Sequence, residues 1–330
     1  MTDTPLPRLD QFVGCLMGCA VADSLGAPIE GQSREHIATI KNVTSEFLPF
    51  REYEAGQVTD DTQLTIAAIK GIIRDAGISD DTIADEISQL WITKEIVGAG
   101  PVAHRAVNNY IDGKPWDQAA EEGDLALNGA AMRISPVGLW AFDHPEALAT
   151  DVHTVSIITH KHPESIAAAQ AIAAAVAYVV QHDHIESSAM CQSLSAFVGE
   201  DTKLGQLLAE LPQWLKLPED EALKLIAGDY PLFAKEGDFG VPVSGIPTAL
   251  AALYAFLQSP DDYMATIETT LRAGGDVDTV GAIAGAVSGA FNGADAIPQH
   301  LQAGVKDSDA MLKLAREFYE VFLKNRDRLT

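Results

Sequence analysis

Two stretches, far apart in the chain, place oxygen-bearing side chains at the starts of helical patterns. Val58-Thr59-Asp60-Asp61-Thr62 leads into Ile66-Ala67-Ala68-Ile69, and Gly274-Gly275-Asp276-Val277-Asp278-Thr279 leads into the small-residue run Val280 to Ala286. Carboxylates that are adjacent, or one residue apart in a bend, can be aimed at one point, which suits a hard cation that prefers oxygen ligands. The competing use of Asp or Thr at such a place is to cap the helix by accepting a first-turn N–H. One acidic, Thr-bearing helix start is ordinary, whereas two of them suggest a shared site. Four carboxylates gathered together repel one another and take up protons unless a cation balances them. Their summed charge is about that of two divalent cations, so the pattern predicts a two-metal centre with oxygen ligands.

Other residues could serve the same site. Glu30 follows a Gly-rich helix end, in a loop, where a carboxylate is either simply solvated or functional. Gly98-Ala99-Gly100-Pro101 interrupts the chain at a helix start, where backbone amides can hold an anion or merely make an interhelical turn. His160 and His162 lie two apart, able to stack on a ligand or bind metal. The carboxylate clusters favour hard cations and argue against imidazole ligation.

The elements that must position these groups read as helices. Leu9–Ala27, Asp61–Arg74, Asp80–Thr93, Val102–Tyr110, His153–Thr159, Pro163–His182, Thr248–Leu257, Asp261–Arg272 and Asp307–Leu329 all show helical spacing or helix-start chemistry. Ser33–Thr39 is a shorter candidate, and Ser187–Gly228 reads as amphipathic helices broken by Pro212 and Pro218. No run of alternating strands and no low-complexity linker occurs. The expectation is an all-α fold, one compact multi-helix domain over residues 1–330 with its site built from interhelical loops.

Composition sets the outer bounds. The chain has 330 residues, 47 Asp and Glu against 22 Lys and Arg, and a net charge of -25. That balance argues against nucleic-acid or anionic-membrane binding by the surface at large, while leaving room for a local basic or amide-lined pocket. Cys15, Cys19 and Cys191 show no zinc spacing and are expected as small buried hydrophobes with no disulfide. The acidic N-terminus does not read as a signal peptide, and the Ala-rich run from Ile166 to Val180 is too short for a membrane span. A cytoplasmic location is the expectation.

Five segments in order resemble the ADP-ribosylglycohydrolases, the group that includes the dinitrogenase-reductase-activating glycohydrolase. They are Gly18-Cys19-Ala20-Val21-Ala22-Asp23-Ser24-Leu25-Gly26-Ala27-Pro28-Ile29-Glu30, Thr59-Asp60-Asp61-Thr62, Asn128 to Leu139, Thr159-His160-Lys161-His162-Pro163-Glu164, and Gly274 to Thr279. Each is weak alone; together they are specific and cover nearly the whole chain. The resemblance implies an all-α fold and two Mg2+ or Mn2+ ions. Their ligands would be Thr59, Asp60 and Asp61 on one side and Asp276, Asp278 and Thr279 on the other. It implies hydrolysis of the bond between the anomeric carbon of ADP-ribose and a protein side chain or other acceptor.

Such a reaction passes through an oxocarbenium-like transition state. Two cations can hold the ribose hydroxyls and lower the pKa of a water. The resemblance gives Glu30 a gating or acid–base role and places Asp60 and Asp61 at the chemistry. It sets His160 and Asn128 against the substrate and brings Gly98 and Gly100 to the pyrophosphate. It further implies an ADP-ribosylated protein or small molecule as partner, with nucleic acid only as an ADP-ribosylated acceptor and no membrane. Two departures stand out. Gly123-Asp124-Leu125-Ala126-Leu127 replaces a Gly- and Ser-rich phosphate loop, and no Asp occurs around Gly98 to Val102. These departures leave two alternatives: a hydrolase of another ribosyl or nucleoside compound, or a non-catalytic ADP-ribose-binding relative.

Overall fold

A computed structural model describes residues 5–123, 125–230 and 240–329, so Asp124 lies outside the described residues. Among the described residues there are seventeen α-helices: α1 (Leu9–Gly26), α2 (Arg34–Ile37), α3 (Asp60–Asp75), α4 (Asp80–Ile92), α5 (Pro101–Ile111), α6 (Trp116–Ala119), α7 (Ser135–Trp140), α8 (Pro145–Ile157), α9 (Pro163–Val179), α10 (Ser187–Val198), α11 (Lys203–Trp214), α12 (Glu219–Ala227), α13 (Gly245–Gln258), α14 (Tyr263–Arg272), α15 (Val277–Asn292), α16 (Gln299–Gly304) and α17 (Ser308–Leu329). Among the described residues the only β pairing is in isolated bridges. The fold is all-α, as the sequence leads one to expect.

The centre of the molecule is the antiparallel pair α1 and α15. Both are apolar or small on every face: α1 is buried from Gln11 to Gly26 and α15 from Val277 to Ala290. A helix without a polar face belongs inside a protein. Glycines let the two backbones touch. A Cβ built on Gly18 would lie 2.2 Å from the carbonyl oxygen of Gly285, and one on Gly285 would lie 2.2 Å from that of Gly18. The stretch Leu9–Ile29 is long and apolar enough to cross a membrane by length and composition, yet it is 94% buried inside this fold. α17 has one apolar stripe, Met311, Ala315, Phe318 and Phe322, and lays it on α1. Phe12 meets Phe318 and Phe322 with ring centroids 5.0 and 5.1 Å apart. The Ala-rich α9 and the apolar α13 complete the core.

The short helices α6, α7 and α16 have no counterpart in the sequence expectation, and two longer ones depart from it. α8 begins at Pro145, eight residues before His153, because a proline suits the first helical turn, whose N–H has no intrahelical partner. Pro212 lies inside α11 and does not break it. The buried stripe Leu204, Leu208, Leu211 and Trp214 continues past it, and burial of that face outweighs the loss of one backbone hydrogen bond near the helix end.

Candidate active site

The first acidic stretch is held by a carboxylate in the middle of an apolar helix. Asp23 of α1 is fully buried and accepts from the backbone N–H of Thr59 (3.0 Å) and of Thr62 (3.2 Å). It also accepts from the Thr59 hydroxyl at 2.8 Å and the Thr62 hydroxyl at 2.5 Å. Four donors on one buried anion fix the entry of α3 against α1. Thr59 is the N-cap of α3 and accepts from Asp61 N at 3.4 Å. Asp60 N donates to Val97 O (2.7 Å). The Gln63 side chain then clips the same loop twice, donating to Glu95 O (2.8 Å) and accepting from Val97 N (2.9 Å). Gly98 is thereby held beside Asp60, so that a Cβ on it would lie 3.1 Å from Asp60 Oδ1.

The second stretch is positioned by its glycines. Gly274 and Gly275 have φ of +74° and +79°, the left-handed region that glycine enters without strain. The turn bonds to two other loops. Val241 N donates to Gly274 O and Asp276 N to Val241 O, while Gly31 N donates to Gly275 O and Gly275 N to Gln32 O. The second pair ties the loop carrying Glu30 over the start of α15. Asp276 sits at the N-cap position, yet its side chain caps nothing. It accepts instead from the Asn128 amide, which also donates to Thr248 (3.0 Å). Helix capping thus accounts for Thr59 and leaves Asp276 and Asp278 for other work.

The two stretches meet: the Thr279 hydroxyl lies 3.4 Å from Asp61 Oδ2, across 218 residues of sequence. They face a cavity of about 390 Å³ lined by Glu30, Thr59, Asp60, Asp61, Gly98, Gly100, Asn128, His160, Asp276, Asp278 and Thr279. These eleven residues expected at the site therefore line one cavity, whereas His162 does not: it caps α9, its Nδ1 accepting from Glu164 N at 3.2 Å. Carboxylate oxygens of Glu30, Asp276 and Asp278 lie within 4.8 Å of one another. Asp61 Oδ1 and Asp278 Oδ1 are buried with no hydrogen-bond partner. Buried acceptors normally have partners, and orphaned carboxylate oxygens on residues lining a shared cavity fit hard divalent cations.

Electrostatics point the same way. Burial, reinforced by neighbouring carboxylates, pushes Asp60 up to about 8 and Asp61 and Asp278 well above the usual range. Burial also raises Asp23 and Asp276 to about 6. Without cations the folded site therefore holds protons that the unfolded chain releases near 3.8. The sign follows: stability is greatest while these groups are protonated and is lost as pH climbs through about 6 and then about 8. The midpoint of thermal unfolding in EDTA is expected to fall between pH 5.5 and pH 8.5, and Mg2+ or Mn2+ is expected to restore it at the upper end. A midpoint that stays level in EDTA would contradict the clustered-charge picture.

The rest of the wall is nearly uncharged. His160 is buried, with Nδ1 2.8 Å from the Thr159 hydroxyl and its ring against Gly129. Burial, with the Arg133 guanidinium nearby, drives it down to about 3, so it is neutral and a poor general acid. Gly100 is the N-cap of α5. Among the described residues lining the cavity, Arg51 carries the one positive side chain; it pairs with Glu30 at 3.6 Å across the mouth. Asp23 and Arg51 were not among the residues singled out. A carboxylate amid the apolar residues of α1 is the signal that could have revealed Asp23; nothing local marks Arg51.

Comparison with known proteins identifies the family. Residues 4–328 match the ADP-ribosylglycohydrolase family. The ADP-ribosyl-[dinitrogen reductase] glycohydrolase of Rhodospirillum rubrum is 26% identical over 291 residues, covering 88% of each chain. The ADP-ribosylarginine hydrolase Tri1 of Pseudomonas putida is 24% identical, covering 97% of this chain and 80% of its own. A solved structure described as an ADP-ribosylglycohydrolase-related protein complex superposes with a TM-score of 0.75 at 25% identity, covering 96% of this chain and 99% of its own. With a match that runs almost end to end, the chain belongs to the ADP-ribosylglycohydrolase family, enzymes that hydrolyse glycosidic linkages of ADP-ribose.

Proposed function

We propose that this enzyme is a two-metal hydrolase that removes ADP-ribose from a modified acceptor, with Mg2+ or Mn2+ as the cations. The observation that carries the reading is the pair of orphaned buried oxygens, Asp61 Oδ1 and Asp278 Oδ1, in one cavity with Glu30, Asp60 and Asp276. Thr59, Asp60, Asp61, Asp276, Asp278 and Thr279 are the residues that would hold the cations. When bound, two such ions supply Lewis-acid chemistry, orienting ribose hydroxyls and acidifying a water.

The chain's own residues do the rest. Asp23, through its four hydrogen bonds, keeps the Thr59–Thr62 turn rigid, so the acidic groups need no reorganisation. Asn128 orients the Asp276 carboxylate. Glu30 is half-exposed at the mouth, and desolvation there raises its pKa while Arg51 lowers it. A carboxyl group so placed can pass a proton to the leaving acceptor and regain one from the attacking water. The neutral His160 ring offers an apolar face to a nucleotide, and the first turn of α5 can present the backbone N–H groups of Val102 and Ala103 to phosphate. The name of the Tri1 relative points to arginine as the acceptor.

The test is release of free ADP-ribose from ADP-ribosyl-arginine and ADP-ribosyl-serine peptides with Mg2+, with Mn2+ and with EDTA. Metal-dependent release from the arginine peptide is expected. Leu125 and Leu127 stand in the cavity wall and offer no hydroxyl to a phosphate, which favours a second reading, another ribosyl or nucleoside substrate. Release from neither peptide by metal-loaded protein would move the assignment there. Glu30→Gln is expected to slow turnover by about a hundredfold, the scale of a lost general acid, with metal content unchanged by elemental analysis. Loss of metal in that variant would make Glu30 a ligand.

A further inference from the structure

Behind the acidic site lies a second, larger cavity of about 530 Å³, and the site's own support elements form one of its walls. It opens between α3, the end of α4 and the start of α17. Its floor is apolar, with Ile66, Leu90, Met311 and Leu314. Around it stand Lys70, Lys94 and Lys306, from three separate parts of the chain. Lys306 Nζ donates to Gln57 Oε1, a neutral acceptor, at 2.9 Å. Among the described residues none of the three ammonium groups has a carboxylate within ion-pair distance. Glu95 and Asp307 are the acids of the lining, which leaves a local positive excess on a chain whose net charge is -25.

We propose that this cavity binds a small amphipathic anion, an apolar ring system bearing a phosphate, sulfonate or carboxylate group, and that its occupancy steadies the loop beside the acidic site. A cavity of this volume holds a ligand of metabolite size, with the apolar floor taking its body and the lysines its charge. The route to the acidic site is short and continuous. Val58 and Val97 are in the cavity wall. Val58 directly precedes Thr59, and Val97 O accepts from Asp60 N at 2.7 Å. Gln63, also in the wall, is the side chain that clips Glu95 and Val97 to α3. An occupant therefore leans on the backs of the two segments whose fronts present Thr59, Asp60, Asp61 and Gly98. The cavity is lined by none of the residues of the acidic site, so it is a separate binding place.

The probe is anilinonaphthalene sulfonate, titrated by fluorescence into the full chain saturated with ADP-ribose and Mg2+. One saturable site is expected. The double variant Lys70→Ala/Lys306→Ala should weaken it about tenfold or more, since two charge-assisted contacts are removed. Lys313→Ala/Lys324→Ala, on the same α17 but outside the cavity, should leave it unchanged. Equal affinity in both double variants, or binding of the probe only when ADP-ribose is left out, would overturn the site. Hydrogen exchange at residues 95–98 should slow when the probe binds; unchanged exchange would overturn the coupling. Neither readout depends on turnover, so a failure here is separable from a failure of the proposed reaction.

Discussion

Asp61→Asn and Asp278→Asn are each expected to lower kcat/KM by about a thousandfold while leaving the metal-free protein at least as stable as before. The rate effect is that of losing one preorganised charge at a reacting centre. The stability effect has the opposite sign because both carboxylates are buried among others and hold protons at high cost to their charged forms. Asparagine keeps the shape and an acceptor oxygen. At Asp61 that oxygen can still serve the Thr279 hydroxyl (3.4 Å). What disappears is a group that must either take up a proton or carry charge in a crowded site. Titration calorimetry with Mn2+ should show weaker binding, and thermal melts in EDTA should show an unchanged or higher midpoint. A variant with normal turnover would sink the two-metal reading. A lower midpoint in EDTA would assign these carboxylates to holding the fold instead.

Gly285→Ala is expected to destabilise the protein by about 3 kcal/mol or more, the upper range for overpacking a rigid core. Alanine is the better helix former by about 1 kcal/mol, so an unconstrained helix would be stabilised by this change. Here the added Cβ would meet the Gly18 carbonyl oxygen at 2.2 Å and the Ala22 Cβ at 3.0 Å. A backbone oxygen cannot swing aside, so α1 and α15 must separate. Separation also reaches the chemistry, since Asp23 rides on α1 and Asp278 and Thr279 on α15. The protein that remains folded should bind Mn2+ less tightly as well. Chemical denaturation and metal titration of the same samples check both effects. An unchanged or raised denaturation midpoint would mean that the two helices slide past each other freely.

The chain's local patterns determined the helical class and nearly every helix, because apolar periodicity and helix-start chemistry are properties of a few consecutive residues. They also marked both acidic stretches and Glu30, since oxygen-rich turns beside glycine are unusual enough to be noticed without a partner in view. Tertiary structure decided what each carboxylate does. Thr59 caps α3, but Asp276 caps nothing, and only the approach of Asn128 from 148 residues away shows where its oxygen goes. Asp23 reads in the sequence as an isolated polar residue on a buried helix. Its role exists only because α1 lies against the start of α3, where four donors need one acceptor. Arg51 reaches Glu30 through the folding of a loop with no regular pattern. Pro212 would end an isolated helix, and burial of the stripe around it carries α11 through. In each case the deciding energy is a desolvation or a contact between segments far apart in sequence, and no run of neighbouring residues contains it.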